Sequence, residues 1–184
     1  MIPTTTVSGQ QGYLPCPGGA IFNTAIALGR LGVQTGMLTG VSTDLFGEQL
    51  IAALHASNVR TLHIVRSDHP TTLAFVSLDD GQATYTFYDE NSAGRKLSVA
   101  SLPIVNDEVS TLYFGGISLT CEPAAETYSV LAGREASRRV VMLDPNIRPS
   151  FIRNKKRYRA RLDQMIKNTD ILKVSDEDLD WICP

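Results

Sequence analysis

The chain is short of cysteine and tryptophan, and neither sign of charge is in large excess; each shortage removes a class of protein. Among its 184 residues are three cysteines, Cys16, Cys121 and Cys183. They are odd in number, far apart and without a CxxC pair, so they offer neither a disulfide framework nor a thiolate zinc site. Free thiols fit a reducing cytoplasm. The three histidines, His55, His63 and His69, lack a metal-ligand spacing and read as structural or bystander residues. A net charge of -2 gives no attraction to nucleic acid or to an anionic membrane. No apolar run approaches the roughly 20 residues that a membrane span needs. Met1-Ile2-Pro3-Thr4 opens without the basic stretch and apolar core of a secretory signal. Neither GxxxxGK[ST] nor GxGxxG occurs, so a phosphate loop and a dinucleotide fingerprint are both missing. There is no internal repeat and no low-complexity tract.

What is present is ordinary globular material, 43% hydrophobic and 20% charged, long enough for one domain with a sizeable core. Helix-like and strand-like segments alternate, which predicts an α/β fold with a mostly parallel, Rossmann-like sheet flanked by helices. Helices are expected over residues 20–31 (apolar on most sides, hence buried), 44–57, 123–137 and 155–167, and from Ser175 onward. Strands are expected over 34–41, 112–115, 140–143 and 170–174. Residues 72–78 and 83–88 flank the turn Asp79-Asp80-Gly81-Gln82 and read as an antiparallel hairpin, a candidate lid. The basic run 153–161 reads as a solvated helix face. Residues 1–17 supply no convincing strand before the helix at 20, and the final helix begins just before Pro184. The chain therefore reads as a piece of something larger.

Four constellations could carry chemistry, each beside a plainer alternative that the residues alone leave open. Gly18 and Gly19 precede a helix, where backbone can approach a ligand and first-turn N–H groups are free. Asn23 lies one turn on, with an amide that both donates to and accepts from a hydroxyl. The alternative is a glycine-rich turn with a capping amide. Asp144-Pro145-Asn146-Ile147-Arg148 leaves the carboxyl end of an apolar strand, the edge at which open α/β sheets bind ligands. Arg148 suits a phosphate; the alternative is an Asp-capped turn. Lys173-Val174-Ser175-Asp176-Glu177-Asp178 sits at another strand end and could hold Mg²⁺ through water, or be a capping box with acids at a helix start. Tyr85, Phe87 and Tyr88, with Asn91 and Arg95 beyond, could cover a sugar ring or be ordinary cross-strand pairs.

Taken in order, Gly18-Gly19-Ala20-Ile21-Phe22-Asn23-Thr24-Ala25, Leu31-Gly32, Asp44-Leu45-Phe46-Gly47, the loop Asp144 to Arg148 and the run Lys173 to Asp178 resemble the PfkB (ribokinase-like) carbohydrate kinases, over nearly the whole chain. Within that family the leaning is toward fructokinases and 2-keto-3-deoxygluconate kinases. The resemblance implies an ATP- and Mg²⁺-dependent sugar kinase. Gly18, Gly19 and Asn23 would bind sugar hydroxyls, with Tyr88 and Arg95 as further sugar contacts. Asn146, Arg148 and Lys173 would lie near the transferring phosphate, and Asp178 would stand for the Glu of an NxxE motif that organises Mg²⁺. Lid segments would fall at about 5–17 and 71–92, with a homodimer through the lid possible. The departures are Ser42 for a glycine, Ile21 for a smaller residue, and Ser175 to Asp178 for NxxE. The second signature, D-T-x-G-A-G-D, which carries the base and much of the ATP pocket, does not occur. On this reading the chain by itself is inactive. A 2-keto-3-deoxygluconate or nucleoside kinase and a non-catalytic sugar-binding remnant are the competing expectations.

Overall fold

The structure, a computed structural model, describes residues 1–79 and 82–183. Strands β1 (Ile2–Thr5) and β2 (Gln11–Leu14) form an antiparallel hairpin. Helix α1 (Ala20–Arg30) leads through β3 (Thr35–Gly36) and β4 (Thr39–Ser42) to α2 (Leu45–Ala56), β5 (Val59–Arg60) and β6 (Ile64–Ser67). A second antiparallel hairpin follows, β7 (Leu73–Asp79) with β8 (Gln82–Tyr88). The sequence then alternates β9 (Thr111–Gly115), α3 (Ala124–Glu135), β10 (Val140–Asp144), α4 (Lys155–Lys167), β11 (Ile171–Leu172) and α5 (Asp176–Ile182).

Among the described residues every strand pair outside the hairpins is parallel: β3 with β5, β4 with β6, and the sheet β11-β10-β9. The expected α/β fold with a small antiparallel addition is what forms. The segment expected as one strand over 34–41 is split because its halves pair with different partners, β5 and β6. Leu119, Leu131, Val141, Leu143, Leu162 and Met165 make the main core, and Phe22, Ala25, Leu54 and Val59 a second cluster. Each of the larger side chains contributes roughly 2 kcal/mol by leaving water, Ala25 less than about 1.

Three expectations give way. Residues 1–17 do contain strands. Their faces are mostly exposed, so no buried alternation marks them. The backbone fixes them instead: Met1 N donates to Ala74 O at 2.7 Å and Val76 N donates to Met1 O at 3.1 Å, setting the two hairpins edge to edge. Helix α1 is not buried all round; it buries one stripe, Phe22, Ala25 and Gly29. The basic run is not simply solvated. Arg161 is buried, donating to Leu119 O at 3.1 Å and pairing with Glu122, while Arg159 lies over the Trp181 ring at 4.1 Å. Tertiary partners turn these cations inward.

The Asp44 carboxylate ties the start of the second hairpin to the body. Asp44 caps α2 by accepting from Gly47 N at 2.8 Å, and it also accepts from Thr71 N at 2.8 Å and the Thr71 hydroxyl at 2.7 Å. Burial alone would raise its pKa. The Thr71 hydroxyl and the Gly47 and Thr71 N–H groups outweigh that and bring it down to about 2. A carboxyl whose folded pKa is depressed stabilises the fold above its ordinary value and loses that contribution as pH falls. Asn caps as well as Asp, but it turns three charged hydrogen bonds into neutral ones, so Asp44→Asn is expected to cost about 1 kcal/mol at pH 7. It should also remove part of the stability loss that the native protein shows between about pH 4 and pH 2. Chemical unfolding at the two ends of that window checks both.

Candidate functional site

The cavity lies where the hairpins meet the parallel layers. About 690 Å³ in volume, it is lined by Gly18, Gly19, Asn23, Arg95, Asn146 and Arg148 among others. That size is in the range of small-molecule pockets.

Each wall has a local cause. Gly19 is the residue before the first turn of α1 and has φ +129, a conformation open to glycine and strained for other residues. It brings the start of α1 close to the cavity and sets Asn23 one turn in, its N–H donating to Gly19 O at 2.8 Å. From the opposite side comes the loop after β10. Asn146 has φ +43, a left-handed conformation that asparagine tolerates better than most residues. Arg148 Nη1 donates to Ile147 O at 2.9 Å. Beneath this loop the Asp144 carboxylate accepts from the Tyr113 hydroxyl at 3.2 Å and pairs with Lys173 Nζ at 3.0 Å. Burial first, then the Asp144 charge, pushes the Tyr113 phenol up.

The hairpin β7–β8 covers the cavity. Its register sets Ala74 opposite Phe87 and Val76 opposite Tyr85, and all four line the cavity. Period two sends Tyr88 to the other face, 63% exposed, where it meets Phe75 edge-on at 5.6 Å. Phe75 in turn meets Tyr13 at 4.9 Å. At the hairpin's base Asp89 accepts from the Thr72 hydroxyl at 2.6 Å and the Ser92 hydroxyl at 2.7 Å. Arg95 donates through Nε to Glu122 O at 3.3 Å, with Nη1 3.9 Å from Asp89.

Six of the nine residues singled out in the sequence thus share one cavity: Gly18, Gly19, Asn23, Arg95, Asn146 and Arg148. Tyr88, Lys173 and Asp178 do not line it. Tyr88 is on the wrong face of its strand, and Phe87 and Tyr85 take that place. Lys173 is engaged by Asp144. Asp178 is 3% exposed, with Oδ1 accepting from Ile147 N at 2.7 Å and Oδ2 from Ser175 N at 3.3 Å. With Ser175 it forms a complete capping box. It acts on the loop of Asn146 and Arg148 by holding that loop's backbone. Among the described residues no group of three or more His, Cys, Asp or Glu side chains could hold a metal ion. No described helix is long and apolar enough to cross a membrane. Sequence reasoning missed Asp89, Thr72 and Phe151 as lining residues; strand alternation alone was the signal for Phe87 over Tyr88.

The profile of the pfkB family carbohydrate kinases matches residues 7–184. The fructokinase of Rhizobium leguminosarum bv. trifolii is 52% identical over 181 residues, 98% of this chain and 56% of that protein. The chain thus spans about half the length of the curated relatives it matches. A crystal structure of fructokinase from Xylella fastidiosa superposes with a TM-score of 0.90 at 29% identity, covering 99% of this chain and 58% of that one. Fructokinase from Vibrio cholerae O395 in its fructose, ADP and calcium ion bound form gives 0.83 at 26% identity, covering 98% and 58%.

Proposed function

Because the chain belongs to the pfkB family carbohydrate kinases, we propose that it builds the sugar side of a fructokinase site, in which ATP passes its γ-phosphoryl group to a hydroxymethyl group of fructose. One observation carries this reading: the start of α1 and the loop after β10 face one cavity under an aromatic hairpin. Glycine N–H groups and an asparagine amide suit hydroxyls, and an arginine across the cavity suits phosphate oxygens. Such transfer depends mostly on positioning and charge stabilisation.

In this reading Gly18, Gly19 and Asn23 hold the sugar hydroxyls, and Phe87 and Tyr85 lie against the ring and exclude water. Asn146 and Arg148 stand beside the transferred phosphoryl, held in place by Asp178. No residue of the chain is assigned as the base. Mg²⁺ accompanies ATP as part of the substrate. The two hairpins act as the lid. Their outer aromatics, Tyr13, Phe75 and Tyr88, form an apolar face suited to a second copy of the chain. A cytoplasmic setting agrees with the three free thiols.

A neutral sugar is favoured over 2-keto-3-deoxygluconate because Arg95 is already engaged by Glu122 O and lies close to Asp89. A coupled ADP-release assay on the intact protein, run with fructose, 2-keto-3-deoxygluconate and a nucleoside, tests the proposal. Fructose is expected to be the best acceptor. Phe87→Ala should raise its KM roughly tenfold and Tyr88→Ala less than about twofold, since only Phe87 lines the cavity. Saturable fructose binding without any ADP release would favour the non-catalytic reading instead.

A further inference from the structure

Asp89 is the lone carboxylate among the described residues that line the cavity, where Arg95 and Arg148 are the side-chain cations. It is not free. Oδ1 takes two hydroxyl donors, Thr72 and Ser92, and Oδ2 faces Arg95 Nη1 at 3.9 Å. Both side chains are largely withdrawn from solvent, 20% exposed for Asp89 and 18% for Arg95, so water screens the pair less than it would at the surface. The nearby Cys121 thiol is pushed up by burial and adds no charge.

We propose that Asp89 is a specificity-determining residue: by cancelling the charge of Arg95 it keeps the sugar end of the cavity electrically neutral and rejects sugar acids in favour of uncharged ketoses. The inference rests on the sugar-kinase reading. Its physical basis is that discrimination needs a repulsive element as well as an attractive one. A carboxylate ligand entering beside Arg95 also meets the Asp89 charge that faces it, so the attraction is offset. A polyol meets no such penalty and can bond to either group. With Asp89 neutral, Arg95 would be an uncompensated cation at the sugar end.

Asp89→Asn keeps an acceptor for Thr72 and Ser92, removes the charge and sets an amide NH2 where Oδ2 faced Arg95. The measurement is the ratio of kcat/KM for 2-keto-3-deoxygluconate to that for fructose in the intact protein, with thermal melts alongside. We expect the Asn variant to raise this ratio roughly tenfold and Asp89→Asn/Arg95→Met to bring it back near the native value. Asp89→Ser, which retains an oxygen acceptor, repeats the test should the Asn variant melt early. A native enzyme that phosphorylates fructose while Asp89→Asn leaves the ratio unchanged overturns the assignment of Asp89 alone. So does an increase that survives in the double variant. A native protein that neither binds nor phosphorylates fructose overturns the underlying reading, and this inference with it.

Discussion

Gly115→Ala is expected to destabilise the protein by about 3 kcal/mol or more, at or above the upper end of core overpacking, because the backbone it meets cannot yield. Gly115 ends β9 opposite Asp144, and a Cβ there would lie 1.9 Å from Asp144 O and 3.2 Å from Ile21 Cδ1. The nearer atom is main chain in the middle strand of the sheet, so no rotamer change relieves the contact. The strand end must move, and with it the loop that carries Asn146 and Arg148. A loss of that size lowers the melting temperature by roughly 10 °C or more in a domain of this length. Gly36→Ala is the control. Its Cβ would meet Arg60 O at 3.7 Å, an ordinary contact, and the variant should melt within a few degrees of the native protein. Comparable melting of the two variants would count against the tight seam between β9 and the Asp144 loop.

Asp178→Ala is expected to cost about 3 kcal/mol, from a lost capping box of about 1 kcal/mol and a buried charged hydrogen bond of about 2 kcal/mol. The variant leaves Ile147 N–H without its acceptor in a buried site. Tyr158 shows what surrounds this carboxylate: burial first, then the Asp178 charge, pushes its phenol up to about 12. Because Asp178 grips the backbone between Asn146 and Arg148, the effect on phosphoryl transfer should fall on kcat, with the KM for fructose little changed. Asp178→Asn, which can still accept from Ile147, should recover part of both losses. A rise in sugar KM with unchanged kcat would mean that the loop does not serve the phosphate end.

Much of the architecture was legible before any coordinates. The αβ rhythm is local: apolar strands such as Val140 to Leu143 and capped helices such as those opened by Asp44 and Ser175 announce themselves through period and capping chemistry. The hairpin over 73–88 showed the same way, although Asp80 and Gly81 of its turn lie outside the described residues. The β1–β2 hairpin did not, because exposed strands held by main-chain bonds leave no hydrophobic trace. The basic run misled for a related reason. A cation's partner can be a ring or a carbonyl far along the chain, and nothing in residues 153–161 points to Trp181 or Leu119.

The candidate site divides along the same line. By itself the sequence determined that glycine, asparagine and arginine stand at strand ends and helix starts, since those positions follow from local turn and capping preferences. Only the tertiary structure decided which of them share a cavity. It gave the cavity-facing place to Phe87 instead of Tyr88 through strand register, and it set Lys173 against Asp144. It also showed that Asp178 spends both oxygens on backbone N–H groups and that Asp89 sits against Arg95. Side-chain chemistry is written residue by residue, whereas which charges meet depends on packing between segments far apart in the chain.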